Sequence, residues 1–278
     1  MERHAPLHPM SHVLDEAIRL TAAGDNIFMG ATHPAYANMV GPYGGASGAA
    51  LLNAALLHPS RLGDPIALTV NFAGPVAEGP FEIEAVPVRT NRSTQHWSLS
   101  MRQGDAVCTS GTAVFARRRE TWSAQDAVPP DDMPRPENLA RFSSDLLPPW
   151  ARCYDMRFPP GEEPFQFDGD MRPHGNTRLW VRDDPPRPLD FAGLAAICDN
   201  FFPRIFDRRR RPAPIGTVTL TAYFHADDAQ LASQGARHVL GTARALRYSN
   251  GYFDQSAEVW SDAGQLLAST HQMVYFKE

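Results

Sequence analysis

The chain has 278 residues, of which 43% are hydrophobic and 21% charged, with a formal net charge of −5. That length allows one large domain or two of about 100 to 150 residues, and the ordinary, mildly acidic composition argues against a nucleic-acid binder. Three scattered cysteines, Cys108, Cys153 and Cys198, form no CxxC and leave an odd count, pointing away from a disulfide framework or zinc site and toward a reducing, cytoplasmic setting.

The N-terminal stretch MERHAPLHPMSHVLDEAIRL has charges and prolines where a signal peptide needs an apolar run. Nothing approaches the ~18 consecutive apolar residues of a membrane span, so neither export nor membrane insertion is expected. The first predicted element is a helix over Gly44 to Leu57, GGASGAALLNAALL, apolar nearly all round and opening on glycines. This is the pattern of a buried helix whose backbone is approached closely. Four strands are predicted after it, at 66–72, 81–90, 93–102 and 106–118, from alternating β-branched and aromatic residues separated by Gly, Pro and Asp.

Residues 122–188 are crowded with prolines, yet they also hold Trp150, Tyr154, Met156, Phe158, Phe165, Phe167, Leu179 and Trp180. That is more apolar surface than a free linker carries, so an ordered connection is expected, with a short strand near Thr177 to Arg182. A second helix is predicted over 190–202, ended by Pro203. Strands at 217–225, 238–249, 252–261 and 266–276 follow, with Asn250-Gly251 marking a tight hairpin.

Helix-then-meander therefore occurs twice. The division expected is an N-terminal unit over 1–121, the connection over 122–188 and a C-terminal unit over 189–278. Placing Gly104 on Gly264 superposes the last hairpin of each copy without a gap and sets Thr112 opposite Gln272.

Several chemistries lack their signatures: there is no GxSxG elbow, GxGxxG, P-loop or HExxH, and the ten histidines are scattered, with no pair at i, i+4 on a helical face. The anomaly is Asp199, a carboxylate in the otherwise apolar FAGLAAICDNFF. Either it is buried and given a task, since an ionised carboxylate in apolar surroundings is costly, or it sits exposed at a frayed helix end before Pro203.

GPYGG at the first helix start, NFAGPV and NRSTQ in the first sheet, TVTLTAYFHADD, SNGYFDQSAEVWS and the ending LLASTHQMVYF together resemble the acyl-CoA thioesterase II family of double hot-dog proteins. The resemblance implies an α+β double hot-dog, two antiparallel sheets each wrapped round a central helix and joined edge to edge. It implies acyl-CoA as substrate, hydrolysis without metal or organic cofactor, and, as hot-dog relatives associate through sheet edges, a homo-oligomer. In that family a helix-borne Asp, a Thr on the following strand and a Gln on the last strand orient the attacking water. The matching positions are Asp199 in AICDN, Thr217 in IGTVTLTAYFH and Gln272 in ASTHQ; Asn200 after the Asp and His271 beside the Gln depart from the pattern.

Read alone, Thr217 is equally a strand-start residue of high β-propensity and Gln272 a solvent-facing strand residue. Alternation puts Ala268, Thr270, Gln272 and Val274 on one strand face. The first copy offers Asn53 but no carboxylate, so its expected role is structural. Gly44 and Gly45 either present backbone N–H groups to substrate or allow close packing. The run Arg208 to Arg211 either meets coenzyme phosphates or is a solvated loop. Two further readings stay open: a catalytically silent acyl-CoA-binding module, and a hot-dog hydratase, which needs an Asp and His pair not seen near either helix.

Overall fold

Alternation of buried and exposed side chains decides where the strands lie, and they dominate the computed structural model, which describes residues 11–278. Residues 1–10, on which part of the signal-peptide expectation and the start of the 1–121 unit fall, lie outside the described residues. The elements in chain order are α1 (Val13–Ala17), β1 (Thr21–Ala22), β2 (Ile27–Ala31), α2 (Gly44–Leu57), β3 (Asp64–Phe72), β4 (Pro80–Thr90), β5 (Thr94–Gln103) and β6 (Ala106–Ala116). Then come β7 (Tyr154–Arg157), β8 (Thr177–Asp183), α3 (Phe191–Ile197), α4 (Arg204–Arg209), β9 (Ile215–Phe224), α5 (Asp228–Gln234), β10 (Val239–Arg244), β11 (Tyr248–Ser249), β12 (Tyr252–Trp260) and β13 (Leu266–Phe276).

The strands form one antiparallel sheet in the order β1-β2-β4-β5-β6-β3-β9-β13-β12-β10-β8-β7, with β11 on β12. Where two sheets meeting at their edges are expected, the ladder runs straight through: β3 pairs with β9 from Ala67↔Tyr223 to Asn71↔Thr219. The Thr69 and Thr221 hydroxyls are 3.0 Å apart across this joint, and the Thr219 hydroxyl donates to the Val70 carbonyl at 3.1 Å. Backbone hydrogen bonding thus makes the two helix-plus-strands repeats continuous.

α2 and α3 lie against each other, α2 also against β3, β4 and β5 and α3 against β8. Their small residues permit the approach, for a Cβ added to Gly45 would stand 2.5 Å from the Ala196 carbonyl oxygen. Leu51, Leu52, Ala54 and Ala55 of α2 and Leu194 and Ala196 of α3 are wholly buried, as a helix apolar on all sides requires. The proline-rich connection is ordered: β8 pairs with β10, β7 extends the sheet beyond it, and Trp150, Tyr154, Met156 and Phe158 are buried.

Two predicted elements break early. The helix expected over 190–202 stops at Ile197, because the Asp199 and Asn200 N–H groups turn back to the Ala196 and Ile197 carbonyls, and Pro203 then caps a new helix, α4. The strand expected over 238–249 breaks after Arg244, where the Asp254 carboxylate accepts the backbone N–H groups of Leu246 and Arg247. The arginine run is not a simple loop, since Arg208 and Arg209 form the last turn of α4 and Arg210 closes it in a left-handed conformation. At Asn250-Gly251 both φ angles are positive, 54° and 77°, as the predicted hairpin demands. Among the described residues no helix is long and apolar enough to cross a membrane.

Candidate active site

The broken end of α3 lifts Asp199 out of the helix and holds it against the start of α2. Two side chains clamp this turn on either side. The Tyr43 hydroxyl donates to the Ala196 carbonyl at 2.7 Å before it, and the Gln255 side-chain amide donates to the Phe201 carbonyl at 3.3 Å after it. Gln255 also accepts from the buried Arg204 guanidinium at 3.1 Å. Tyr43 is fixed in turn by stacking on Trp150, with ring centroids 4.4 Å apart and planes 9° from parallel. Phe202, next along, packs among Phe142, Trp150, Phe158 and Phe165, so the connection supplies the apolar wall behind the turn.

Into this corner the sheet brings Gln272. On β13, Ala268, Thr270, Gln272 and Val274 are buried while His271, Met273 and Tyr275 face outward, so Gln272 is an inner-face residue, 5% exposed. Its amide Nε2 donates to Asp199 Oδ1 at 2.9 Å, and its Oε1 lies 3.5 Å from the Thr217 hydroxyl, the outer limit of a hydrogen bond. The neighbouring strand makes this possible, for β9 pairs Thr217 with Val274 across a bulge and Leu220 with Gln272. The three residues predicted from the motifs are therefore in one chain of contacts.

Gly44 and Gly45 complete the corner from the other half of the chain. The Gly45 N–H donates to the Asp199 carboxylate, and a Cβ at Gly44 would come within 2.7 Å of Asp199 Oδ2. Close packing is thus one role of this glycine pair, and the Gly45 N–H faces a carboxylate of the same chain. The first N–H groups of a helix have no partner within it, and the positive end of its dipole favours an anion.

Burial pushes the Asp199 carboxyl up to about 7, while the hydrogen bonds from Gln272 and Gly45 pull the other way. A carboxylate with that value is half ionised near neutrality, where a general base is most effective. As a whole residue Asp199 is half-buried, and its carboxyl is the desolvated part. Burial likewise holds the Tyr43 phenol well above its ordinary value, assisted by the Asp199 charge, so Tyr43 acts as a neutral hydrogen-bond donor.

One sequence expectation fails by a single residue. Thr112 does not match Gln272: it lies on the exposed face of β6, and Ala113 and Phe115 face the core. The hairpin ladder closes at Gln103↔Ala106 in the first copy, but at Trp260↔Leu266 with Ser261 and Gln265 bonded beyond it in the second. The second turn is one residue longer, and a slip of one reverses the faces. Counted from the ladders, Ala113 stands where Gln272 does, and Pro65, paired with Phe115, stands where Thr217 does. Tyr43 and Gln255 were not singled out from sequence; the aromatic residue before GG and the alternation of β12 are the only signals they leave. Among the described residues no group of three or more His, Cys, Asp and Glu side chains is arranged to hold a metal ion.

Residues 33–116 match the acyl-CoA thioesterase N-terminal domain and residues 124–276 the acyl-CoA thioesterase C-terminal domain. A conserved protein of unknown function with a hot dog fold from Alicyclobacillus acidocaldarius is 50% identical, with a TM-score of 0.91 over 97% of this chain and 99% of that one. A putative thioesterase II from Thermobifida fusca YX superposes with a TM-score of 0.83 at 19% identity, covering 97% of this chain and 99% of its own. The acyl-CoA thioesterase II TesB2 from Mycobacterium marinum superposes at 0.72 with 17% identity, over 95% and 98%; at these identities the likeness is one of fold. No curated protein matches the chain.

Proposed function

We propose, from the premise that the chain belongs to the acyl-CoA thioesterase family whose N- and C-terminal domains it carries in order, that it hydrolyses acyl-CoA to a free acid and coenzyme A at Asp199. The observation that carries this reading is the buried carboxylate held by Gln272 at 2.9 Å and by the Gly45 N–H. A thioester carbonyl is already electrophilic, so it needs an activated water and a donor for the developing oxyanion rather than a nucleophilic side chain. Ionised Asp199 takes a proton from water as its oxygen attacks the carbonyl carbon. The C–S bond then breaks, and the sulfur leaves as a thiolate that is protonated in turn.

Gln272 fixes the carboxylate, and Thr217 fixes Gln272. The Gly44 N–H, an orphan donor at a helix start, is the group we assign to the thioester oxygen. On this reading residues 1–121 form the supporting unit, 189–278 the catalytic unit and 122–188 the wall between them. Oligomers, expected from relatives, join through the outer strands.

Free-thiol release over short, medium, long, branched and aromatic acyl-CoAs tests the activity. Asp199→Asn should lower the best rate by about 10²- to 10⁴-fold, as loss of a general base does. In the wild type kcat/KM should fall as pH drops below about 7, because the base is then protonated. A folded Asp199→Asn protein working at the wild-type rate rejects the assignment.

A further inference from the structure

Among the described residues twelve buried side-chain atoms have no hydrogen-bond partner, and five of them fall in one region: the Asn200 amide oxygen and nitrogen, the Tyr36 and Tyr154 hydroxyls and Asp183 Oδ1. The row starts beside the site. Asn200 follows Asp199 in the chain, is wholly buried and lies against the Tyr43 hydroxyl, whose own proton is committed to the Ala196 carbonyl. The Tyr43 ring centroid is 6.4 Å from that of Tyr36 and 6.2 Å from that of Tyr154, and those two are 6.4 Å from each other. Beyond the phenols comes Asp183, 3% exposed, at the end of β8 and opposite Tyr154 in the ladder. Past Asp183 the surface is reached through Arg187, which is paired with Asp15 of α1 and with Asp190, side chains 45% and 51% exposed.

Buried polar atoms of native proteins are paired, and where the protein supplies no partner ordered water does. There is room for it, since Tyr36 also borders, with Thr32, His33 and Ser47, a cavity of about 20 Å³, and a water needs about 10–15 Å³. Burial first, and then the Asp183 charge, hold the Tyr36 phenol well above its ordinary value; burial and the neighbouring phenols do the same for Tyr154. Both stay neutral hydroxyls, able to accept a proton on one side and give one on the other. Cys153, which also lies against Tyr36, donates to the Ala35 carbonyl at 3.3 Å, and burial pushes its thiol up to about 11. Burial raises the Asp183 carboxyl to about 7 against the pull of Arg187, with the Asp190 and Asp15 charges adding to the rise. Asp199 has the same value, so a proton passes between the two carboxyls with little gain or loss.

Thioester hydrolysis creates a use for such a row. At neutral pH an acyl-CoA and water give a carboxylate, a free thiol and one proton. The first proton of the attacking water goes to Asp199 and from there to the departing thiolate. The second belongs to the newly formed acid, which ionises near 4 as free carboxyl groups do, and is left on Asp199. It must leave before the base can act again.

We propose that Asn200, Tyr36, Tyr154 and Asp183, joined by internal water, form the path by which this proton leaves Asp199 for the surface at Arg187. The path rests on the acyl-CoA reading above and gives that reading a second carboxyl, which touches no substrate.

Asp183→Asn and Tyr36→Phe keep size and remove a proton-carrying group. Each should lower kcat about tenfold, less than the 10²- to 10⁴-fold loss of the base itself, and leave KM for acyl-CoA unaltered. Imidazole added to the assay should restore part of the lost rate, and the solvent deuterium isotope effect on kcat should rise. Tyr154→Phe repeats the measurement if either variant fails to fold. A crystal structure of the wild type should show ordered waters bonded to Asn200, Tyr36, Tyr154 and Asp183 Oδ1. A dry row, or variants with the wild-type kcat and isotope effect, overturns the path and leaves the Asp199 reading standing; a loss of rate that imidazole does not restore marks a structural role and overturns it equally. A wild-type protein that hydrolyses no acyl-CoA overturns both.

Discussion

The two halves of the sheet are built to one plan and differ at the positions proposed for the chemistry. Each has a helix of small and apolar residues against an antiparallel meander, and the central pairing of β3 with β9 makes them symmetric about the joint. In the first half α2 runs unbroken for 14 residues; in the second α3 stops after 7, and the turn that follows presents Asp199. The strand positions that hold Gln272 and Thr217 in one half are Ala113 and Pro65 in the other. Yet the first half also reaches this corner, because its helix start brings Gly44 and Gly45 to the Asp199 carboxylate of the second. On the proposed reading, the duplicated fold keeps one site and makes the other copy the wall and dipole of the first.

The comparison can be broken most severely at Gln272. Gln272→Leu removes a hydrogen bond to a charged group, and kcat should fall by about ten- to a hundredfold. Thr217→Val, acting through a 3.5 Å contact, should cost only a few-fold. In steady-state assays the double variant should lose less than the product of the two, since a unit is broken once.

Next in size is the contribution of the first half. Gly45→Ala drives a methyl against the Ala196 carbonyl and the Tyr43 ring, both 2.5 Å away. Thermal unfolding should report about 1–3 kcal/mol of destabilisation, as overpacking costs. Gly48→Ala, one turn on and 3.7 Å from its nearest neighbour, should be neutral or slightly stabilising. Equal losses at both glycines would mean that the Gly45 contact with α3 has no special weight.

A smaller effect sharpens the electrostatic difference. Folding raises the Asp199 carboxyl from 3.8 to about 7, so its contribution to stability is full below the unfolded value and is lost as pH rises through 7. Asp199→Asn, which does not ionise, should gain in melting temperature on the wild type between about pH 4 and pH 8. A constant difference across that range would show the carboxyl to be solvated. Smallest of all, Thr112→Val on the outer face of β6 should change neither thiol release nor melting by a measurable amount.

Much of this was legible in the residues. Period-two alternation places Gln272 inward, the apolar glycine-led segment gives α2, and an acidic residue in FAGLAAICDNFF marks Asp199. The break in α3 was not, because Asp199 and Asn200 are read as the tail of an apolar run until their N–H groups are seen turning back to Ala196 and Ile197. Nor was the clamp of Tyr43 and Gln255, whose partners are backbone carbonyls distant in sequence. The one-residue slip at Thr112 arose because both hairpins turn on a glycine of positive φ, Gly104 and Gly264, while turn length is fixed by which residues bond across it. β1, β2 and α1 precede the first apolar helix and carry too short a pattern to be read.

The ladder between β3 and β9 has a consequence for how the protein is made. Synthesis runs from the N-terminus, and domains fold as they emerge, so the first meander leaves the ribosome with β3 bare along Ala67 to Asn71 until residue 215 onward has followed. An unpaired strand of that length at the edge of a folded sheet is a template for any other strand, β3 of another copy among them. The long proline-rich stretch between the halves therefore sets an interval of exposure as well as a distance, and a ribosome stalled within it would leave the cell holding a half-molecule whose free edge invites self-pairing.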